Sequence, residues 1–131
     1  MKKFIVIGCL LPALLTATGC STAGSTSGVQ DEYQTMSDLV AGFASAGVKC
    51  DPYEKVDSVR LGTKEHGNCT WNGQKLTINL FSGSPDQTKQ FVDSVKGMAV
   101  GYLLYRGNFT LNVDDEATTK LLASKLGMTI E

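Results

Sequence analysis

Apolar residues in the first third of the chain recur at helical spacing. Five of them lie three or four positions apart: Tyr33, Met36, Leu39, Val40 and Phe43. Side chains at this spacing share one face of an α-helix. Gly47 follows the stripe, and glycine commonly ends a helix. The pattern predicts a first helix over residues 31–46.

Two turn signals divide the middle of the chain into alternating apolar and polar runs. Asn72-Gly73 suits a two-residue type I′ hairpin because both residues tolerate positive φ, and Gly107-Asn108 suits a type II′ hairpin. The runs around these turns, together with a weaker run before them, have the period-2 pattern of strands. The predicted strands cover residues 56–61, 68–71, 74–81, 102–106 and 109–113.

Two further helices are predicted from their first residues. Ser84 is a candidate N-cap, with Pro85 at the first helical position and Gln87 at the capping-box position, and this helix extends to Lys96. Asp114 begins a third helix, which ends at Gly127.

Neighbouring strands joined by hairpins favour an antiparallel or mixed sheet, and each amphipathic helix needs a surface to pack on. We therefore predict an α+β domain with a small antiparallel or mixed sheet of about five strands, three helices on one main face, and one disulfide.

The first twenty residues have the order of an export signal. Lys2 and Lys3 precede an apolar run at residues 4–15, and small residues at 16–19 lead to Cys20. The run is too short for the roughly 20 apolar residues that span a bilayer. Small residues before a cysteine resemble the lipobox of bacterial lipoproteins, although Ala17 stands where leucine is usual.

The lipobox resemblance implies that residues 1–19 are a signal peptide and that Cys20 carries a diacylglyceryl group after cleavage. The alternative is an ordinary secretory signal that leaves Cys20 as a thiol. Residues 20–28 are then the lipidated cysteine and a flexible Ser/Thr/Gly spacer. Residues 29–131 are predicted to form a single domain, anchored by lipid to the extracytoplasmic face of the cell membrane. The membrane is therefore one expected partner, reached through the anchor.

The net charge of the domain limits the classes of partner that we expect it to bind. Of twelve basic and thirteen acidic residues, only Lys2 and Lys3 lie in the signal segment, which leaves ten against thirteen and a formal charge of −3. A nucleic-acid binder needs a basic face, so no nucleic-acid partner is expected.

The cysteines indicate a disulfide in an oxidising compartment. With residues 1–19 removed and Cys20 lipidated, Cys50 and Cys69 are the two that remain, and we predict that they pair. A metal site is not expected, because there is no Cys-x-x-Cys motif and His66 is the single histidine. No cofactor is expected either.

Other candidate chemistry has simpler structural interpretations. His66 is predicted to lie in a solvated loop. The cluster of Asp114, Asp115 and Glu116 is explained by a helix N-terminus rather than a cation site. Ser82-Gly83-Ser84 is a capping segment, or an anion cradle made of backbone amides. Four aromatic residues on the hairpins are predicted to be mostly buried, or else to form a binding surface: Trp71, Tyr102, Tyr105 and Phe109.

Three short motifs carry a resemblance to a protein family: Ala46-Gly47-Val48-Lys49-Cys50, Gly67-Asn68-Cys69-Thr70, and residues 122–127. With the lipobox, the arrangement resembles small lipoproteins of unknown function in actinobacteria and their phages. The resemblance implies an envelope protein and transfers no catalytic residues.

The function predicted from the chain is non-catalytic binding of an unknown envelope or phage protein at the cell surface. Superinfection exclusion by a phage or prophage lipoprotein is one alternative, and a small hydrolase that acts on envelope material is another.

Overall fold

The computed structural model describes residues 28–58, 62–98 and 101–131. Within these ranges the chain forms three helices and six strands, which confirms the α+β class. In chain order they are α1 (Met36–Ser45), β1 (Tyr53–Val56), β2 (Thr63–Trp71), β3 (Gln74–Phe81), α2 (Pro85–Val95), β4 (Tyr102–Arg106), β5 (Phe109–Val113), α3 (Glu116–Leu126) and β6 (Thr129–Ile130).

The strands form one antiparallel sheet in the order β1-β2-β3-β5-β4-β6. Asn72 and Gly73 have φ values of 49° and 75° between β2 and β3, as the predicted hairpin turn requires. The second hairpin joins β4 to β5 through Gly107-Asn108, also as predicted. Because β3 pairs with β5, the two hairpins combine into a continuous sheet.

The main core lies between one face of this sheet and the helices α1 and α3. Alternate residues of β3 and β5 face it in register, with Leu76 opposite Val113 and Ile78 opposite Leu111. The helices and the segments that flank them cover this face with Val29, Tyr33, Met36, Leu39, Phe43, Val48, Leu122, Leu126 and Met128. The disulfide between Cys50 and Cys69 closes the β2 side of this core. Closing a loop of this length contributes about 3 kcal/mol to stability.

Helix α2 packs on the opposite face of the sheet, so the prediction of three helices on one main face is wrong. Leu80 and Leu104 belong to the main core, and successive strand residues point to opposite faces. Phe81 and Leu103 therefore face the other way, and both are buried there with Val92 of α2. Helical periodicity shows that α2 has an apolar stripe but does not say which side of the sheet receives it.

Several helices and strands begin or end at residues other than the predicted ones. Helix α1 begins at Met36 rather than residue 31, because Thr35 is in extended conformation and accepts a hydrogen bond from the Asp38 amide (3.1 Å). The first strand lies at 53–56, before most of the predicted range, whose residues 59–61 are outside the described part of the chain. Strand β2 begins five residues early, since its polar residues are buried or paired rather than solvated. The two-residue β6 was not predicted.

The segment before α1 is fastened to the sheet by Asn108. The Asn108 Oδ1 accepts from the Tyr33 amide (3.0 Å), and its Nδ2 donates to the carbonyls of Tyr33 (2.8 Å) and Phe81 (3.1 Å). The Asn108 amide also donates to the Asp31 carbonyl (2.9 Å). Asn108 is therefore a buried link between the N-terminal segment and two strands, in addition to being a turn residue.

Candidate binding groove

A groove of about 450 Å³ lies between α2 and the last residue of β3. We refer to it as the α2 groove, and its lining is Gly62, Phe81, Ser82, Gln87, Gln90, Phe91 and Ser94. Four of these residues lie on α2 at positions 87, 90, 91 and 94, the spacing of a single helical face. Among the described residues of the lining, none has a charged side chain.

The groove follows from how α2 sits on the sheet. Thr88 and Val92 are fully buried against the strands, which turns the neighbouring stripe of α2 toward the end of β3. There the Phe91 ring lies on the Phe81 ring, with centroids 5.1 Å apart and planes tilted by 50°. Phe81 is buried, whereas Phe91 is only partly covered. The groove thus has an aromatic wall with amide and hydroxyl groups beside it.

A second pocket, of about 320 Å³, shares Phe81 and Ser82 with the α2 groove. We call it the polar pocket, and its lining is Glu32, Tyr33, Gln34, Lys64, Phe81, Ser82, Gly83, Ser84 and Asn108. The Lys64 Nζ donates to the Gln34 carbonyl (2.5 Å). Of the described residues that line this pocket, the two with charged side chains, Glu32 and Lys64, have opposite sign.

The face of the sheet on which α2 packs carries a row of polar side chains in addition to the buried Phe81 and Leu103. His66, Asn79 and Thr110 are aligned on three neighbouring strands, and all three are buried. The Asn79 Nδ2 donates to the Thr110 Oγ1 (3.2 Å). Within the described ranges, the Asn79 Oδ1 and the buried Thr88 Oγ1 make no hydrogen bond. Unpaired buried polar atoms are destabilising, and Asn79 on the sheet and Thr88 on α2 each contribute one.

His66 is in strand β2 and only 4% exposed, so the predicted solvated loop is wrong. Its Nε2 lies 2.9 Å from the Ser58 carbonyl oxygen and 3.2 Å from the Ser58 Oγ. A carbonyl oxygen only accepts hydrogen bonds, so Nε2 carries the hydrogen that it donates there. In the tautomer that donates this hydrogen bond, Nε2 is not available as a base toward the Ser58 hydroxyl. The hydrogen bond between Ser58 and His66 instead attaches the segment that follows β1 to strand β2.

The acidic cluster at residues 114–116 serves the start of α3. The N-cap is Asp115 rather than the predicted Asp114, and its Oδ2 accepts from the Thr118 amide (2.7 Å) and the Thr118 hydroxyl (2.6 Å). These hydrogen bonds, first from the hydroxyl and then from the amide, lower the pKa of Asp115. Glu116 pairs with Lys120 one turn later (2.6 Å). All the acidic groups of this cluster are accounted for by helix formation or solvent exposure.

The other predicted positions have mixed outcomes. Ser84 occupies the N-cap of α2, but its side chain makes no capping hydrogen bond. Trp71 and Phe109 are buried, as predicted, whereas Tyr102 and Tyr105 are partly exposed. Cys50 and Cys69 form the predicted disulfide, with Cα atoms 5.0 Å apart. Cys20 lies outside the described residues.

The α2 groove was missed in the sequence because no single motif encodes it. The only signal was the 87, 90, 91, 94 stripe, which is indistinguishable from a solvated helix face until Phe81 is placed beside it. In residues 28–58, 62–98 and 101–131, no three His, Cys, Asp or Glu side chains are grouped so that they could hold a metal ion. The helices found in these ranges are too short or too polar to cross a membrane.

Comparison of the chain with protein-family models, with curated proteins and with solved structures found no match.

Proposed function

We propose that the chain is a lipid-anchored protein on the extracytoplasmic face of the cell membrane, and that its domain acts by binding rather than catalysis. The observation that carries the anchor proposal is the position of Val29, the first core residue within the described ranges. Val29 is only 3% exposed, and it follows Cys20 by nine residues. A Ser/Thr/Gly spacer after Cys20 would therefore lead directly into the described core.

The attachment of this segment supports a tethered domain. Arg106 Nε donates to Asp31 Oδ1 (2.7 Å), and Asn108 holds both backbone groups of Tyr33. A diacylglyceryl group on Cys20 would hold the protein stably, since two acyl chains suffice for stable membrane attachment. The anchor would then connect to a fixed part of the domain.

The non-catalytic proposal is supported by the Ser58–His66 pair. In this pair the Ser58 hydroxyl, a possible nucleophile, lies against the His66 imidazole, a possible base. The imidazole Nε2 is used instead as a donor to the Ser58 carbonyl. A serine nucleophile needs that nitrogen as an acceptor. The pair thus has a structural use that competes with the catalytic one.

Superinfection exclusion is a narrower form of the proposal and rests on the resemblance to phage lipoproteins alone. Expression of the chain in a susceptible host tests it directly. Superinfection exclusion would reduce DNA entry from an infecting phage, and normal DNA entry would contradict it.

The anchor is tested by comparing Cys20→Ala with Cys9→Ala, a matched cysteine in the same segment. In cells fed an alkyne analogue of palmitate, we expect Cys20→Ala to lose both the lipid label and the membrane attachment, while Cys9→Ala keeps both. A Cys20→Ala chain that stays labelled and in the membrane fraction would contradict the anchor. In the same fractions, a fluorophosphonate probe is expected to leave Ser58 unlabelled, and labelled Ser58 would contradict the non-catalytic proposal.

A further inference from the structure

We infer that the open edge of strand β1, together with a cavity between β1 and α1, binds an extended peptide segment of another protein as an added strand. Recognition of this kind combines main-chain hydrogen bonds along a sheet edge with pockets for alternate side chains. The inference rests on the binding function proposed above, but it needs neither the lipid anchor nor the α2 groove.

Strand β1 is an edge of the sheet, because among the described strands it pairs only with β2. The residues just before β1 give the phase of this ladder. The Thr70 amide donates to the Pro52 carbonyl (3.1 Å). Hydrogen-bonded and non-bonded positions alternate in an antiparallel pair, so Glu54 is the next residue that bonds to β2. The backbone groups of Tyr53 and Lys55 therefore point away from β2, toward the open edge.

A cavity of about 290 Å³ lies beside this edge, between β1 and the first half of α1. We call it the β1 pocket, and its lining is Thr35, Met36, Ser37, Val40, Tyr53, Lys55 and Glu65. It is on the α1 side of the sheet, since Tyr53 is opposite Cys69, a residue of the main core. Ser58 and Gly62, which flank residues 59–61, instead contact His66 and line the α2 groove on the other side.

Glu65 fixes α1 beside the edge strand. Its Oε2 accepts from the Met36 amide at the start of α1 (2.7 Å), and Glu65 itself belongs to β2, the strand that pairs with β1. The walls of the β1 pocket are largely apolar, because Met36, Val40 and Tyr53 pack in or against the main core. An added strand would place every second side chain on this side of the sheet. The pocket therefore suits an aliphatic side chain of such a strand.

The charges of β1 select the residues of an antiparallel partner. Glu54 and Lys55 are exposed, and as successive strand residues they are on opposite faces. Opposite charges directly across a strand pair stabilise it, whereas like charges destabilise it. A segment in the order acidic, basic, aliphatic places these residues opposite Lys55, Glu54 and Tyr53, respectively. Both charges of the edge are then paired, and the aliphatic residue lies beside the Tyr53 ring.

The same charges disfavour a second copy of this chain as the partner. When Tyr53 of one β1 strand pairs with Lys55 of the other, the two-fold axis lies at Glu54, which then faces Glu54 of the other copy. An axis at Lys55 likewise places Lys55 opposite Lys55. Both registers oppose like charges, which is destabilising. A segment with the complementary order of charges is therefore the better partner.

NMR on the mature chain with Cys20→Ala tests the inference, because this chain keeps all the described residues and needs no membrane. The probe is the capped peptide acetyl-Thr-Val-Glu-Arg-Val-Thr-amide, and the control is the exchanged peptide, in which Glu and Arg trade places. We expect the probe at millimolar concentration to shift the Tyr53 and Lys55 amide signals more than that of Glu54, whose amide already bonds to β2. The exchanged peptide should bind about tenfold more weakly.

Absence of shifts with the probe, shifts centred on another surface, or equal binding of the two peptides would overturn the inference. Sedimentation of the free chain checks its oligomeric state. A dimer whose formation shifts the β1 amides would assign the edge to a second copy and would also overturn it. Labelling of Ser58 by the fluorophosphonate probe would instead contradict the proposed function, and it would leave the peptide shifts unchanged.

Two substitutions at one position separate main-chain pairing from charge. Lys55→Ala removes the ammonium group and keeps the outward N–H, whereas Lys55→Pro removes both. Proline is tolerated in an edge strand where its nitrogen faces solvent. We expect Lys55→Ala to weaken binding of the probe about threefold and Lys55→Pro at least about tenfold. Equal binding by the two variants would contradict strand addition.

Exchange of the two edge charges gives a test that does not depend on the proline variant. Glu54→Lys combined with Lys55→Glu changes two exposed side chains and keeps the net charge. This double variant should prefer the exchanged peptide over the probe by about tenfold. Lys75→Glu, at an exposed position of β3, is the control and should keep the wild-type preference. A double variant with the wild-type preference would overturn the inference, even if Lys55→Pro fails to fold.

Discussion

The face of the sheet under α1 and α3 is a continuous apolar core, whereas the face under α2 is a polar row with a few apolar residues at its edge. Neighbouring residues on the same strands make the contrast clear. Leu80 and Leu104 belong to the core, and the residues beside them, Asn79 and Leu103, face α2. One side of the sheet can thus supply most of the stability, which leaves the other side free to be polar.

This division explains why the α2 side can carry a groove. If the interface between α2 and the sheet were fully apolar, Gln87, Gln90 and Phe91 would be covered or tightly buried. Here α2 is held by Val92, Phe91 and their partners, above polar atoms that include the unpaired Asn79 Oδ1 and Thr88 Oγ1. The α2 groove therefore lies on a helix that packs partly over polar atoms.

The largest expected effect comes from truncating the two adjacent leucines of β4, which point to opposite faces. Leu→Ala substitutions in cores cost 2–5 kcal/mol, depending on how well the site is packed. Leu104→Ala should lower the free energy of unfolding by about 4 kcal/mol and Leu103→Ala by about 2 kcal/mol. Urea unfolding of the mature chain measures both. If Leu103→Ala costs as much as Leu104→Ala, the two faces contribute equally and the comparison is wrong.

A smaller effect is expected at the link between the N-terminal segment and the sheet. Asn108→Ala removes three side-chain hydrogen bonds and leaves the Tyr33 amide without that partner, so we expect a loss of about 3 kcal/mol. Hydrogen exchange of the Tyr33 amide should also accelerate. Asn112→Ala, at a half-buried position of β5, is the control and should cost about 0.5 kcal/mol. Unchanged exchange at Tyr33 in Asn108→Ala would show that the segment is held by other contacts.

The smallest effect concerns Tyr53, at the β1 edge of the apolar face. Its ring lies against Gly67, and its hydroxyl is buried without a hydrogen bond in the described residues. Burial, and then the nearby Glu65 carboxylate, raise the pKa of Tyr53 above its ordinary value. The unfolded chain therefore ionises this phenol first. The stability that depends on the neutral phenol is complete below about pH 10 and is lost as the pH rises from there through the folded-state pKa.

Tyr53→Phe tests this dependence. The variant should lose less stability than the wild type when urea unfolding is repeated on either side of about pH 10. At neutral pH its stability should be close to that of the wild type, because the lost hydroxyl makes no hydrogen bond in the described part of the structure. A parallel loss of stability in the two chains would assign the alkaline sensitivity to other groups.

The elements that were predicted correctly have local causes. The Asn72-Gly73 hairpin, the start of α2 at Ser84-Pro85 and the end of α3 at Gly127 follow from backbone preferences of a few residues. The disulfide followed from the exclusion of other pairings. The Leu76, Ile78 and Leu80 alternation correctly predicted one buried face of β3.

The elements that were missed depend on contacts between distant parts of the chain. His66 looks like a loop residue because its neighbours are polar, yet the sheet buries it between β1 and β3. Strand β6 is two residues long, and it exists because β4 offers an edge for pairing. The α2 groove needs Phe81 and Phe91 to meet, and the face chosen by α2 cannot be read from its own periodicity. Lipidation of Cys20 stays a prediction.

Native-state hydrogen exchange of the mature chain tests the contrast between the two faces most directly. Amides with few apolar contacts exchange through local openings well below the global free energy of unfolding. We expect the α2 amides to open at least about 2 kcal/mol more easily than those of β3 and α3. If α2 exchanges only with global unfolding, at the same free energy as β3 and α3, then α2 is part of the rigid core and the division between a stabilising face and a less stable α2 face is contradicted.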